Sequence, residues 1–192
     1  MIKNEIRIVG IDDGFFDKYR DKKSLMVGVI MRGYKQIDGV LSNYIEVDGD
    51  DVTDKIIEMI SRTTHKHQIR LIMTNGISFA GFNIIDMKRL NKELGIPIIA
   101  VVRKKPNMEK FLLAAKKVKN YEKKLEIIKS LPEPKPVNTK YGTTYFQNVG
   151  ISDEESKEII LKTSINSRIP EPVRVAHLIA MGVTLGYSRG KP

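Results

Sequence analysis

The sequence predicts an α/β fold built on a mixed sheet flanked by helices, and three observations carry that prediction. Three apolar, strand-like segments come first, Arg7 to Ile11, Leu25 to Ile30 and Val40 to Val47, with gaps too short to hold helices. Strands and helices then alternate, the pattern of strands joined by crossover helices. The run Ile96 to Val102 is so apolar that it belongs at the centre of a sheet, covered on both faces. A three-strand meander followed by such alternation is the element order of ribonuclease-H-like folds, whereas a doubly wound sheet would need helices between its first strands.

Each element has its own signal. The first strand ends in Asp12-Asp13-Gly14, and Leu41, Asn43, Ile45 and Val47 alternate as a strand does. Asp48-Gly49-Asp50-Asp51 opens a helix whose apolar positions are Ile56, Ile57, Met59 and Ile60. Asp51 and Asp54 sit at its start, where carboxylates complement the helix N-terminus. Ile69 to Met73 reads as a strand ending at Thr74-Asn75-Gly76, and Asn83 to Leu94 as a helix closed by Gly95. A lysine-rich helical region spans about Asn107 to Ser130, followed by a loop marked by Pro132, Pro134 and Pro136 and a strand from Thr143 to Val149. Ser152 and Glu155 form a capping box for a helix to about Ser164. The last helix starts at Pro172, a residue suited to a first turn. From Val173 to Leu185 only Arg174, His177 and Thr184 are polar, which predicts a helix buried nearly all round.

The bulk composition narrows the class. A chain of 192 residues can bury a sizeable core as one domain, 1–192, and no repeat or linker divides it. No apolar run is long enough to span a bilayer, and the absence of cysteine excludes a disulfide framework and thiolate metal sites. A cytoplasmic protein without membrane contact is the expectation. The net charge of +10, from 33 basic and 23 acidic residues, favours a polyanionic partner. There is no P-loop, no dinucleotide-binding glycine fingerprint and no nucleophile elbow.

Acidic residues at strand ends can converge on one edge of such a sheet. Asp12 is the hardest to dismiss, because a carboxylate ending a buried strand is costly unless used or paired. Neighbouring strand residues point to opposite faces, so at most one of Asp12 and Asp13 is expected to face a given site. Asp51 and Asp86 read either as further carboxylates of that cluster or as helix caps. His177 shares an apolar helix face with Val173, Ala176 and Ala180, and reads either as a hydrogen-bonded core histidine or as part of a site. Gly76 and Gly81 let backbone approach a ligand, while Phe79 and Phe82 are either core or stacking platforms. Arg103-Lys104-Lys105 could track phosphates; the lysines of the following helices read as a solvated face.

Several segments together resemble a known family. Gly10-Ile11-Asp12-Asp13 resembles the first-strand segment of endonuclease V, and Asn75-Gly76-Ile77 through Gly95-Ile96-Pro97-Ile98-Ile99-Ala100-Val101 resembles its strand, glycine loop, helix and following strand. Arg168-Ile169-Pro170-Glu171-Pro172-Val173-Arg174-Val175-Ala176-His177 is similar to its C-terminal "RLPEPTRLAH" block. The resemblance is closer still to a smaller archaeal group, endonuclease dU, through Gly49-Asp50-Asp51-Val52-Thr53, Gly76 to Asp86 and Gly186-Tyr187-Ser188-Arg189-Gly190.

That resemblance implies an endonuclease V-like, ribonuclease-H-like domain that nicks DNA near deaminated bases, deoxyuridine first and deoxyinosine second, with RNA as another substrate to consider. It implies Mg²⁺ or Mn²⁺ as cofactor with Asp12 as a metal ligand and Asn75 at the place of another; Asp51 or Asp48 in place of the family's glutamate, and Asp86, are expected to complete the shell from their own positions in the sequence. Asp12 and His177 are the expected catalytic residues, and Gly76, Phe79, Gly81, Lys104, Arg168 and Arg174 the expected nucleic-acid contacts. Two departures stand out: Asn75 occupies the place of an aspartate, and the Pro-Tyr wedge with its metal-binding glutamate is missing between Asp12 and Asn75. Loss of charge at Asn75 makes a catalytically impaired nucleic-acid-binding protein the alternative.

Overall fold

The computed structural model describes residues 5–190. Strands β1 (Arg7–Asp13), β2 (Lys23–Arg32) and β3 (Gln36–Glu46) form an antiparallel meander. Helix α1 (Val52–Arg62) crosses to β4 (Ile69–Asn75), which runs parallel to β1. A short hairpin, β5 (Ser78–Phe79) and β6 (Asn83–Ile84), precedes α2 (Met87–Leu94) and β7 (Ile98–Val102), parallel to β4. Helices α3 (Met108–Ala115) and α4 (Tyr121–Ser130) lead to β8 (Lys135–Thr139) and β9 (Gly142–Val149), and β9 pairs antiparallel with β7. Helices α5 (Asp153–Thr163) and α6 (Glu171–Leu185) follow. The seven-stranded sheet has the order β3-β2-β1-β4-β7-β9-β8, the mixed sheet that the element order predicts.

Strand alternation divides the core between two faces. Val9, Ile11, Ile72 and Ala100 pack with Ile56 and Ile60 of α1, Leu90 of α2 and Ile128 of α4. On the other face Ile8, Leu71, Ile99 and Phe146 meet Ile159 and Ile160 of α5 and Val173 of α6. Strands β1, β4 and β7, fully or nearly fully buried, end at one edge of the sheet, and that edge carries Asp12, Asp13 and Asn75.

Four expectations need correction. The lysine-rich region is two helices, interrupted at Asn120, which takes a left-handed conformation (φ 56°) that asparagine tolerates. Pro136 lies in a strand, not a loop; β8 is the edge of the sheet, where a missing N–H costs little. The segment before Met87 forms the β5–β6 hairpin instead of helix. Helix α6 is buried along Val173, Ala176, His177 and Ala180, but Leu178 and Val183 are exposed, so it covers the sheet with one face only. Among the described residues no helix is long and apolar enough to cross a membrane.

Candidate active site

Helix α6 lies along β1 because glycine allows it. A Cβ at Gly10 would fall 2.1 Å from the carbonyl carbon of Pro172, so the first turn of α6 sits directly on the strand. At the far end Thr184 accepts a hydrogen bond from the Phe15 amide at 2.9 Å, and a Cβ at Gly14 would fall 2.6 Å from its methyl group. Between these two anchor points His177 faces Asp12.

Asp12 is 2% exposed and accepts four hydrogen bonds. His177 Nδ1 donates to Oδ2 at 2.9 Å, the Asn75 amide nitrogen donates to Oδ1 and Oδ2 at 3.2 and 3.1 Å, and the Asp13 amide donates to Oδ1 at 3.0 Å. The other histidine nitrogen, Nε2, donates to the carbonyl of Arg189 at 3.3 Å. Both ring nitrogens therefore face acceptors, the arrangement that satisfies an imidazolium. The hydrogen bond to Asp12 raises the His177 pKa despite partial burial.

Asp13 sends its carboxylate to the opposite face, where Oδ2 accepts from the Ala80 amide at 2.7 Å. Burial, and then the neighbouring charge of Asp12, push its pKa up to about 7. The sheet edge thus holds two adjacent carboxylates whose joint ionisation is costly without a cation. Asp13 was visible in the sequence as half of an acidic doublet. Opposite-face alternation argued against it, but at the end of a strand both side chains reach the same edge.

The remaining residues expected at this site are distributed differently. Asp51 fastens the junction of β3 and α1: its Oδ1 accepts from Asn83 Nδ2 at 2.6 Å and from the Glu46 amide at 3.1 Å. Asp86 caps α2, accepting from the Arg89 amide at 2.9 Å. Neither joins Asp12, and among the described residues no group of three or more histidine and acidic side chains is placed to hold a metal ion. Phe79 is 1% exposed in the core beside α1 and is no stacking platform. Gly81 has φ +90°, and a Cβ there would strike Asp48 Oδ1 at 2.3 Å; its role is to let Asp48 accept from the Phe82 amide at 2.8 Å. Arg174 is spent on a two-pronged ion pair with buried Glu171, at 2.8 and 2.7 Å. Arg168 donates to the carbonyls of Arg103 and Thr143 at 3.4 and 3.2 Å, bracing the segment after β7. Burial and that same Arg168 guanidinium lower the pKa of Arg103, so two cationic groups crowd each other at this spot.

Gly76 and Lys104 do meet. Both line a 510 Å³ cavity that opens beside Asn75, walled by Val102, Phe111, Tyr145 and Gln147, with Lys104 exposed at its mouth. Gly76 (φ +72°) turns the chain out of β4 and into this cavity wall.

Residues 4–184 match the family described as endonuclease dU. The chain is 42% identical over 189 residues to a UPF0215 protein of Methanopyrus kandleri, covering 97% of this chain and 95% of that one. Among solved structures, a protein of unknown function from Archaeoglobus fulgidus superposes with a TM-score of 0.83 at 36% identity, covering 92% of this chain and 97% of the other. Endonuclease V of Ciona intestinalis, in complex with a 24mer DNA containing an inosine followed by a ribo-adenosine, superposes with a TM-score of 0.60 at 11% identity, covering 90% and 83%. The last likeness establishes the endonuclease V-like fold.

Proposed function

The chain belongs to the endonuclease dU family, and from that membership we propose that it is a metal-dependent endonuclease that nicks DNA beside a deaminated base, uracil foremost and hypoxanthine second. The observation that carries this reading is the convergence of Asp12, Asp13, Asn75 and His177 at the end of the central strands.

The donor set suits a hard cation. Mg²⁺ is commonly bound through one or two carboxylates, with water and substrate phosphate completing its shell. Asp12 and Asp13 would hold Mg²⁺ or Mn²⁺, and the repulsion between two neighbouring carboxylates, one buried and one half-buried, is what such an ion relieves. A carboxylate only accepts hydrogen bonds, so Asn75 must present its amino group to Asp12, and it steadies that carboxylate from the side. When bound, the cation supplies polarisation of the scissile phosphate and a more acidic water.

The protein's own groups do the rest. His177 holds Asp12 in place through Nδ1 and carries a proton at the site. Its long Nε2 bond to the Arg189 carbonyl, 3.3 Å, is the one that a substrate oxygen exchanges with, so the imidazolium can stabilise charge on the leaving oxygen. Lys104 draws the phosphate backbone toward the cavity mouth, and a base swung out of the stack enters the 510 Å³ space past Gly76.

The test is a nicking assay on end-labelled oligonucleotides that carry one uracil, one hypoxanthine or neither, with Mg²⁺, Mn²⁺ or EDTA. Metal-dependent cutting beside a modified base, lost in Asp12→Asn, is the expected result. Binding without cutting under every metal condition would replace this reading with that of a nucleic-acid-binding protein.

A further inference from the structure

Gln147 projects from β9 opposite Ala100 of β7, whose small side chain leaves the space above the sheet open, and both residues line the 510 Å³ cavity. Its Nε2 donates to the carbonyl of Pro132 at 2.7 Å. A carbonyl cannot donate, so this bond fixes which end of the amide is nitrogen and leaves Oε1 as the free end. The segment before β8 thereby locks the amide with a pure acceptor available to the cavity. Ser78 and Tyr145 line the same cavity, but a hydroxyl both donates and accepts and rotates to suit its partner. Gln147 Oε1 cannot adapt in that way.

We propose that Gln147 is a specificity-determining residue that reads the ring N–H of a deaminated base through its amide oxygen. The inference rests on the reading of this cavity as the pocket for such a base. Deamination changes the recognition edge in one decisive respect. Cytosine N3 and adenine N1 are acceptors, whereas uracil N3 and hypoxanthine N1 each carry a hydrogen. A fixed acceptor bonds to the deaminated bases and opposes a lone pair on their parents. The adaptable hydroxyls then serve the neighbouring carbonyl, O4 of uracil or O6 of hypoxanthine. A site built around such a bond rejects the partner that lacks it, because the buried acceptor is left unpaired. One fixed amide thus separates both uracil and hypoxanthine from their parents, cytosine and adenine; thymine N3 and guanine N1 carry the same hydrogen, so their exclusion falls to the shape of the cavity around the thymine methyl and the guanine amino group.

The test measures binding of single-stranded oligonucleotides bearing uracil, N3-methyluracil or cytosine at one position, by wild type and by Gln147→Leu and Gln147→Met, in EDTA and again with Ca²⁺. Single strands remove any effect of base pairing. Wild type should prefer uracil over both cytosine and N3-methyluracil by on the order of tenfold. In both variants that preference should collapse, as uracil loses its bond and cytosine loses its opposing lone pair, while far-UV circular dichroism and the melting temperature stay near the wild-type values and report an intact fold. A preference for uracil that survives in the variants, or wild-type tolerance of N3-methyluracil, overturns the role of Gln147 and leaves the reading of the protein's function standing. Equal wild-type binding of uracil and cytosine overturns the deaminated-base reading, and the role of Gln147 with it.

Discussion

Asn75 turns its amide nitrogen to both oxygens of Asp12, at 3.2 and 3.1 Å, so the two central strands β4 and β1 are joined at their ends by a neutral donor and a charged acceptor. An aspartate at position 75 would change the sign of that contact. Asn75→Asp should raise the demand for a cation: the variant reaches half-maximal cutting at lower Mg²⁺ than wild type, and in EDTA it unfolds at a lower temperature. A Mg²⁺ titration of nicking rate and a melting curve in EDTA measure the two effects. An unchanged Mg²⁺ requirement would place Asn75 outside the metal's reach.

Removal of the Asp12 charge separates chemistry from folding. Asp12→Asn sets an amide against the Asn75 amino group and the His177 N–H, so one buried donor loses its acceptor. The cost is about 1–3 kcal/mol of stability, which leaves a folded protein with normal far-UV circular dichroism and no metal-dependent cutting. Wild-type cutting by a folded Asp12→Asn protein would sink the assignment. His177→Gln keeps a donor near Asp12 and should retain the fold while lowering the rate.

The pH dependence of the metal-free protein follows from two raised pKa values that act in the same direction. His177 gains from its hydrogen bond to Asp12, so its contribution is complete below the unfolded value near 6.5 and is lost as pH rises through the higher folded value. Asp13 keeps its proton in the folded state up to about 7, while the unfolded chain releases it near 3.8, so the folded state loses ground between those values. Asp13→Asn removes the second effect. In EDTA the variant should melt above wild type at about pH 8 and alongside it below the unfolded aspartate value. Thermal melts across pH, with and without Mg²⁺, check this; Mg²⁺ should stabilise wild type more than the variant.

Local signals in the chain were legible, and long-range partnerships were not. The capping box Ser152–Glu155 and the left-handed Gly95 cap stand where spacing puts them, because both are built from neighbours in sequence. The buried face Val173, Ala176, His177 and Ala180 follows from helical period alone. Asp12, by contrast, is completed by residues 63 and 165 positions away, and no spacing rule specifies such a meeting. Asp51 misled because an acidic residue at a helix start has several equivalent uses, and Asn83, 32 positions on, settles which one applies. The Arg174–Glu171 pair was within reach, since residues three apart on a helix share a face. Gln147 had no readable signal: only the folded chain shows that Pro132 claims its nitrogen.

The basic residues should divide by whether their charge is already spent. Lys104→Ala should weaken DNA binding about equally for all sequences and reduce the slope of log affinity against log salt by about one. Arg174→Ala should leave that slope unchanged, because its guanidinium is paired with Glu171, and should instead destabilise the start of α6. A salt titration of oligonucleotide binding for wild type and both variants distinguishes the cases. A slope reduced by Arg174→Ala would mean that the Glu171 pair opens when DNA binds.

Helix α6 and strand β1 are in register only while position 10 has no side chain. A Cβ at Gly10 would lie 2.1 and 2.2 Å from the carbonyl carbon and oxygen of Pro172 and 2.5 Å from the amide nitrogen of Val173. All three are backbone atoms, so no rotamer change relieves the clash and the helix must lift from the strand. His177 rides on that helix, and its 2.9 Å bond to Asp12 lengthens with the displacement. Gly10→Ala should therefore cost at least about 1–3 kcal/mol and lower the cutting rate together with stability. Gly182→Ala provides the contrast: its Cβ would lie 3.6 Å from Ser188 Oγ, an ordinary contact, so α6 stays in place. Alanine is the better helix former by about 1 kcal/mol, so this variant should melt at or above the wild-type temperature with unchanged cutting. Melting curves and nicking rates for the two variants decide the matter. Normal cutting by Gly10→Ala would show that the site tolerates a displaced α6 and that His177 is dispensable for the chemistry.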